Sequence, residues 1–212
     1  MYRFLVLFAS LVLVITTASN DKIDASPVLK IGSEGQAITE LQFRLHTVGY
    51  YNLPIDKNFG KATYNAVQRF QKYNGLHSDG IVGPRTWAKL KKLSVNKKEL
   101  SMLARVIYAE ARGEDYKGQV AVGAVVMNRL QSPKFPNTLK GVIMEPNAFS
   151  AVKDGQYWLI PNQTAFKAAK AAVKGVDPTG NAFFYFNPDV SKSVWFKTRT
   201  ATKKIGNHLF TK

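Results

Sequence analysis

The chain has 212 residues, 45% of them hydrophobic and 21% charged, enough apolar mass for a folded core in one or two domains. Thirty Lys and Arg face fourteen Asp and Glu, a net charge of +16, which calls for an anionic partner: lipid, wall polymer or nucleic acid. The lack of cysteine excludes disulfides, zinc–thiolate sites and thiol nucleophiles, and His46, His77 and His208 lack metal-ligand spacing, so neither a metal nor another cofactor is expected.

In chain order, residues 1–19 come first. Arg3 precedes an apolar run from Phe4 to Ile15, followed by the small residues Thr17, Ala18 and Ser19. This is the anatomy of a secretory signal peptide, with an uncleaved membrane anchor as the alternative. Export places the protein in the cell envelope and weighs against a nucleic-acid partner.

Ile38, Leu41, Leu45 and Val48 then mark an amphipathic helix that Gly49 ends. Residues 56–67, DKNFGKATYNAV, and 79–90, DGIVGPRTWAKL, share D-x-x-(F/V)-G-x-x-T-(Y/W)-x-x-(V/L). A repeat at fixed offset implies one turn–helix unit used twice. Gly60 and Gly83 suit the tight turns, and Pro84 suits a first helical position. Together these predict a three-helix module over 29–93. The segments LKIGSEGQAITELQFRL, FGKATYNAVQRFQKYNGL and DGIVGPRTWAKL resemble the peptidoglycan-binding domain type 1 repeat family. One departure is Lys57-Asn58, where that family often has Asp-Gly. Residues 94–99 read as a linker, in which Ser94 or Asn96 caps the next helix; Glu99 stands in capping-box spacing to Asn96.

The second half, 100–212, opens with Leu100, Leu103, Val106 and Ile107 on one helical stripe. Glu110 continues that stripe, so it is expected on the buried face, where desolvation raises the pKa of a carboxyl and suits it to act as a general acid. The competing reading is a buried structural glutamate paired with Arg or backbone. Glu114 and Asp115 follow Gly113, which is expected to end the helix; they read as solvated turn acids or helix-start charges. The segment GQVAVGAVVMNRLQS is apolar nearly all round, hence a central buried helix with Asn128 and Arg129 at its polar end. Residues 145–162, EPNAFSAVKDGQYWLIPN, have no clean period and read as a cleft-lining loop. Its Tyr157 and Trp158 are either sugar-stacking rings or loop packing. A further helix runs from about Thr164 to Val173, ended by Gly175. AFFYFN reads as a buried strand, and Gly206 with Lys203-Lys204 suggests a closing hairpin. This half is thus α+β: helices first, then a small antiparallel sheet near the C-terminus.

YAEARGEDYKGQVAVGAVVMNR, AFSAVKDGQYW, DPTGNAFFYFNP and IGNHLF, in that order, resemble the catalytic domain of the spore cortex-lytic enzyme family. The resemblance implies a lysozyme-like α+β fold. It also implies lytic transglycosylase action on spore-cortex peptidoglycan during germination, with selection for muramic-δ-lactam and dependence on a companion membrane-associated protein. The first glutamate of the family's A-E-A-R-G-E motif falls on Glu110. A lytic transglycosylase needs one acid, which protonates the glycosidic oxygen and then accepts the proton of the muramic 6-hydroxyl as that attacks C1. Substrate-binding positions are expected at Phe149, Ser150, Trp158, Tyr185 and Asn187. The alternative enzyme is a two-carboxylate hydrolase using Glu114 or Asp154 as second acid, which requires carboxyls about 5–5.5 Å apart if retaining or about 6.5–9.5 Å if inverting. A non-catalytic wall-binding protein is the alternative from another class.

Overall fold

The computed structural model describes residues 26–191 and 198–212. The expected signal peptide lies outside the described residues.

The first half contains α1 (Gln36–Thr47), α2 (Lys61–Tyr73) and α3 (Pro84–Leu93). Their apolar stripes meet in a core of Ile38, Leu41, Leu45, Phe59, Phe70, Trp87 and Leu90. The repeat has a polar device that its apolar pattern does not announce. Gln42 of α1, fully buried, donates from Nε2 to Asp56 Oδ1 at 2.7 Å, Asn58 O at 3.0 Å and Thr63 Oγ1 at 3.0 Å. Gln71 of α2 does the same one repeat later, to Asp79 Oδ1 at 3.0 Å, Ile81 O at 2.9 Å and Thr86 Oγ1 at 3.2 Å. Each glutamine is satisfied by the polar groups of the turn it faces, which is what lets the glutamine itself be buried. The Asp and Thr of the shared motif are therefore its clamp points.

Gly60 and Gly83 do not make the tight turns. Both have extended backbone and cap α2 and α3. The left-handed positions are Lys57, at φ 64°, and its repeat equivalent Gly80, at φ 73°. Lys57 thus keeps the turn geometry without glycine. Pro84 occupies the start of α3 as expected.

The second half contains α4 (Lys97–Ala111), α5 (Tyr116–Gln131), α6 (Leu139–Met144), α7 (Ser150–Lys153), a 3-10 turn at Gln156–Trp158, and α8 (Gln163–Val173). Of the two candidate caps for α4, Asn96 is the one used: its side chain accepts from Glu99 N while the Glu99 carboxylate accepts from Asn96 N. The helix ends at Ala111 rather than at Gly113. Helix α5 is buried along almost its whole length, as its all-round apolar sequence requires. Gly123 explains how tightly it is gripped: a Cβ there would lie 2.9 Å from both Ile107 of α4 and Ala172 of α8. The six-residue α6 is too short for its periodicity to register in the sequence.

Three strands close the chain: β1 (Phe184–Phe186), β2 (Ala201–Ile205) and β3 (His208–Thr211), antiparallel in the order β1-β3-β2. Lys203 and Lys204 lie within β2, so the hairpin turn is Gly206-Asn207. β1 is half-buried rather than enclosed. Phe210 of β3 is fully buried against Ala121 and Val125, which seats the sheet on α5.

The halves share a joint. Arg44 of α1, 2% exposed, binds Glu40 at 2.8 Å, Glu99 of α4 at 2.9 Å and the Ser94 carbonyl at 3.2 Å.

Candidate active site

Helix α4 places Glu110 in its last turn, where the stripe that packs Leu103 and Ile107 reaches the edge of the core. There the stripe opens into a cleft of about 720 Å³, walled by residues 145–151 on one side and β1 with the adjoining loop on the other. Glu110 is half-buried in this wall rather than enclosed in apolar surroundings as the stripe predicted, because neither α7 nor β1 closes over it.

Three donors hold its carboxyl. Ala151 N at 2.8 Å and Ser150 Oγ at 3.2 Å donate to Oε1, and the Tyr185 hydroxyl donates to Oε2 at 2.9 Å. These come from α7 and β1, so one carboxyl ties three elements together. Burial first, then the Glu110 charge and the hydrogen bond to it, pushes the Tyr185 pKa well above its ordinary value. Tyr185 therefore stays protonated and remains a donor across the physiological range.

The other expected positions separate. Ser150 and Tyr185 contact Glu110. Asn187 lines the cleft, but its Oδ1 accepts from Asp189 N at 2.9 Å and so serves its own loop. Phe149 lines the cleft but is only 3% exposed, with its ring 4.9 Å from the Arg129 guanidinium. Trp158 is 69% exposed and does not line the cleft. Its neighbour Tyr157 is buried loop packing. The short 3-10 turn points alternate rings in and out, which loop composition alone cannot resolve.

Glu114 is not a solvated turn acid. Its side chain is 9% exposed, and it accepts from Asn207 Nδ2 at 3.0 Å and Asn207 N at 3.2 Å. It does not line the cleft, and neither does Asp154, which accepts from Gln156 N and Nε2. Asp115 does cap α5, accepting from Gly118 N at 2.7 Å.

Arg129, Glu145 and His208 also belong to the cleft, and the sequence singles out none of them as a site residue, although Glu145 opens the loop read as cleft-lining. Arg129, expected at a polar helix end, is 5% exposed, with Phe135, Phe149 and Phe184 around its guanidinium and Nε donating to Phe183 O at 2.7 Å. Burial lowers its pKa, opposed by Tyr185, Glu145 and Glu110. Glu145 lines the same cleft as Glu110. His208 lines it too, its ring edge-on to Tyr185 at 5.0 Å; burial pulls its pKa below 6.5, against the pull of Glu114 and Glu110. Only long-range packing brings these together. The one signal for His208 is its place in IGNHLF, a segment that carries the family resemblance. Among the described residues no cluster of His, Asp and Glu could hold a metal ion.

A family model described as cell wall hydrolase matches residues 113–211, beginning just past Glu110, and one described as a peptidoglycan binding domain matches 34–90. The spore cortex-lytic enzyme of Bacillus cereus is 39% identical over 98% of this chain and 96% of its own. The chain belongs to the spore cortex-lytic enzyme family. A member from Oceanobacillus iheyensis is 38% identical over 98% of this chain and 96% of its own. The crystal structure of the catalytic domain of the Bacillus cereus SleB protein superposes with a TM-score of 0.54, at 54% identity over 56% of this chain and 93% of that one. The catalytic domain of the germination-specific lytic transglycosylase SleB from Bacillus anthracis gives 0.54, at 55% identity over 56% of this chain and 97% of that one. The spore cortex-lytic enzymes thus share both halves of this chain, while these two solved structures match its catalytic half.

Proposed function

We propose that this chain cleaves the glycan strands of spore-cortex peptidoglycan as a lytic transglycosylase, with Glu110 as its single acid and base. Glu110 gives its proton to the glycosidic oxygen as the bond to muramic C1 breaks. It then takes the proton of the muramic 6-hydroxyl as that oxygen attacks C1, leaving a 1,6-anhydro end. Tyr185, Ser150 and the Ala151 N–H orient the carboxyl. Asn187 lies along the cleft where a sugar would pass.

The observation that carries this reading is the Glu110 carboxyl, held by three donors in the wall of a cleft of about 720 Å³. The relatives named as cortex-lytic enzymes and as a lytic transglycosylase support it. The module at 29–93 holds the enzyme on the wall, aided by the basic charge of the chain. Export through the leader at 1–19, preference for muramic-δ-lactam and dependence on a membrane-associated companion belong to the same proposal; the family resemblance supports them.

Glutamate-to-glutamine substitution at 110 tests the assignment. E110Q should lose at least about 100-fold in cortex lysis while retaining wall binding. Glu145 in the same cleft favours a second reading, hydrolysis with two carboxylates. Mass spectrometry of digested cortex separates them: anhydro ends identify the transglycosylase, and reducing muramic ends the hydrolase.

A further inference from the structure

Glu114 stands apart from the other acids of its loop. Capping of α5 is already done by Asp115. Yet the Glu114 side chain is 9% exposed, and a desolvated carboxylate is costly unless it is bonded. Both its oxygens go to one residue, Asn207, distant in sequence, in the turn between β2 and β3. The adjoining residue is Gly206, at φ 55°, where an added Cβ would lie 1.8 Å from Glu114 Oε2 and would push the carboxylate aside.

His208 comes directly after that turn, as the first residue of β3. Its Nδ1 faces Glu114 Oε1 at 4.0 Å, and its ring meets Tyr185 edge-on, centroids 5.0 Å apart. The register pairs Tyr185 with Phe210, which puts His208 diagonally across on the same face of the sheet. Phe210 flanks the Tyr185 ring at 5.7 Å. His208 and Phe210 are themselves 6.2 Å apart, so the three rings form one triangular cluster, and from it the Tyr185 hydroxyl reaches Glu110 Oε2.

We propose that Glu114 and His208 are positioning residues for the cleavage: Glu114 pins the turn that presents His208, and His208, packed edge-on against Tyr185, keeps the Tyr185 hydroxyl where it holds the Glu110 carboxyl in place. The proposal rests on the reading of Glu110 as the acid and deepens it. Misplacing a reacting group by an ångström can cost about 100-fold, so packing that fixes the Tyr185 ring, whose hydroxyl donates to Oε2, acts on turnover rather than on binding.

The test measures kcat and KM on soluble glycan fragments for H208A, H208F, E114Q, Y185F and the double variant H208A/Y185F, with E110Q as control; thermal unfolding confirms that each is folded. H208A should lower kcat about tenfold with KM within about twofold. H208F, which keeps a ring beside Tyr185, should recover most of that loss, and E114Q should fall between wild type and H208A. In the Y185F background H208A should cost little more, because His208 acts through Tyr185. Wild-type kcat in H208A, kcat in H208F as low as in H208A, or full multiplication of the H208A and Y185F effects would overturn the proposal. If those results come with an inactive E110Q, only this proposal fails. An active E110Q overturns the assignment of Glu110 and this proposal with it.

Discussion

Glu110, Glu114 and Asp115 sit on one short stretch of sequence, yet each carboxylate meets different partners: donors in the cleft wall, a distant turn, and the start of α5. The helical stripe places Glu110 on the side of α4 that meets the cleft, since periodicity reports direction, but it misses that Glu114 is only 9% exposed. It overstates the burial of Glu110, since what covers a stripe depends on elements far along the chain. The same limit conceals Arg129 and His208, whose surroundings are assembled from α5, α7 and the sheet. His208 leads to a measurable consequence. Its folded pKa is lowered, first by desolvation, from an unfolded value near 6.5. Below that pH the unfolded chain takes up a proton that the folded chain resists, so stability falls as pH falls. Urea unfolding between about pH 7 and pH 5 should show this slope in the wild type and a shallower one in H208F.

Among the elements, the duplicated turn–helix is the most legible, because a repeat in sequence is visible without knowing the fold. Its glycines do a different job from the one their spacing suggests. Gly60 and Gly83 have extended backbone, while the left-handed step falls on Lys57 and Gly80. The two copies therefore make opposite predictions. K57G removes a left-handed strain of about 1–2 kcal/mol but adds freedom to the unfolded chain, for a net gain of up to about 1 kcal/mol. G80A puts a Cβ 2.1 Å from the Tyr64 ring as well as at a positive φ, and should cost about 2 kcal/mol or more. Urea denaturation of both variants checks the pair. The glutamine clamps behind these turns are not legible, since a glutamine on a helix gives no sign of being buried until its turn folds over it.

At the scale of the whole molecule, the two halves meet at Arg44, whose side chain is 2% exposed while Glu40 and Glu99 are 38% and 26% exposed. Replacing Arg44 by Met removes the ion-pair partner of Glu40 and Glu99 and the donor to the Ser94 carbonyl, while Glu99 keeps its bond from Asn96 N. Because both acids keep some solvent, the cost should be about 2 kcal/mol rather than the about 3–5 kcal/mol of a fully buried pair. Calorimetry should show the halves of R44M unfolding in two transitions and those of the wild type closer to one. The sequence by itself determined the two-part organisation, the helix–then–sheet order of the second half and the side of α4 on which Glu110 lies, because periodicity and repeats are local and survive without tertiary contacts; it left Ser94 and Asn96 both open as the cap, and the structure uses Asn96. Only the tertiary structure decided that Glu114 serves a turn and not the cleft, that Trp158 faces outward, and that Ser150, Tyr185, Arg129, Glu145 and His208 surround or neighbour one carboxyl. Those outcomes depend on how α4, α7 and β3 pack across long stretches of chain, and no local pattern encodes that packing.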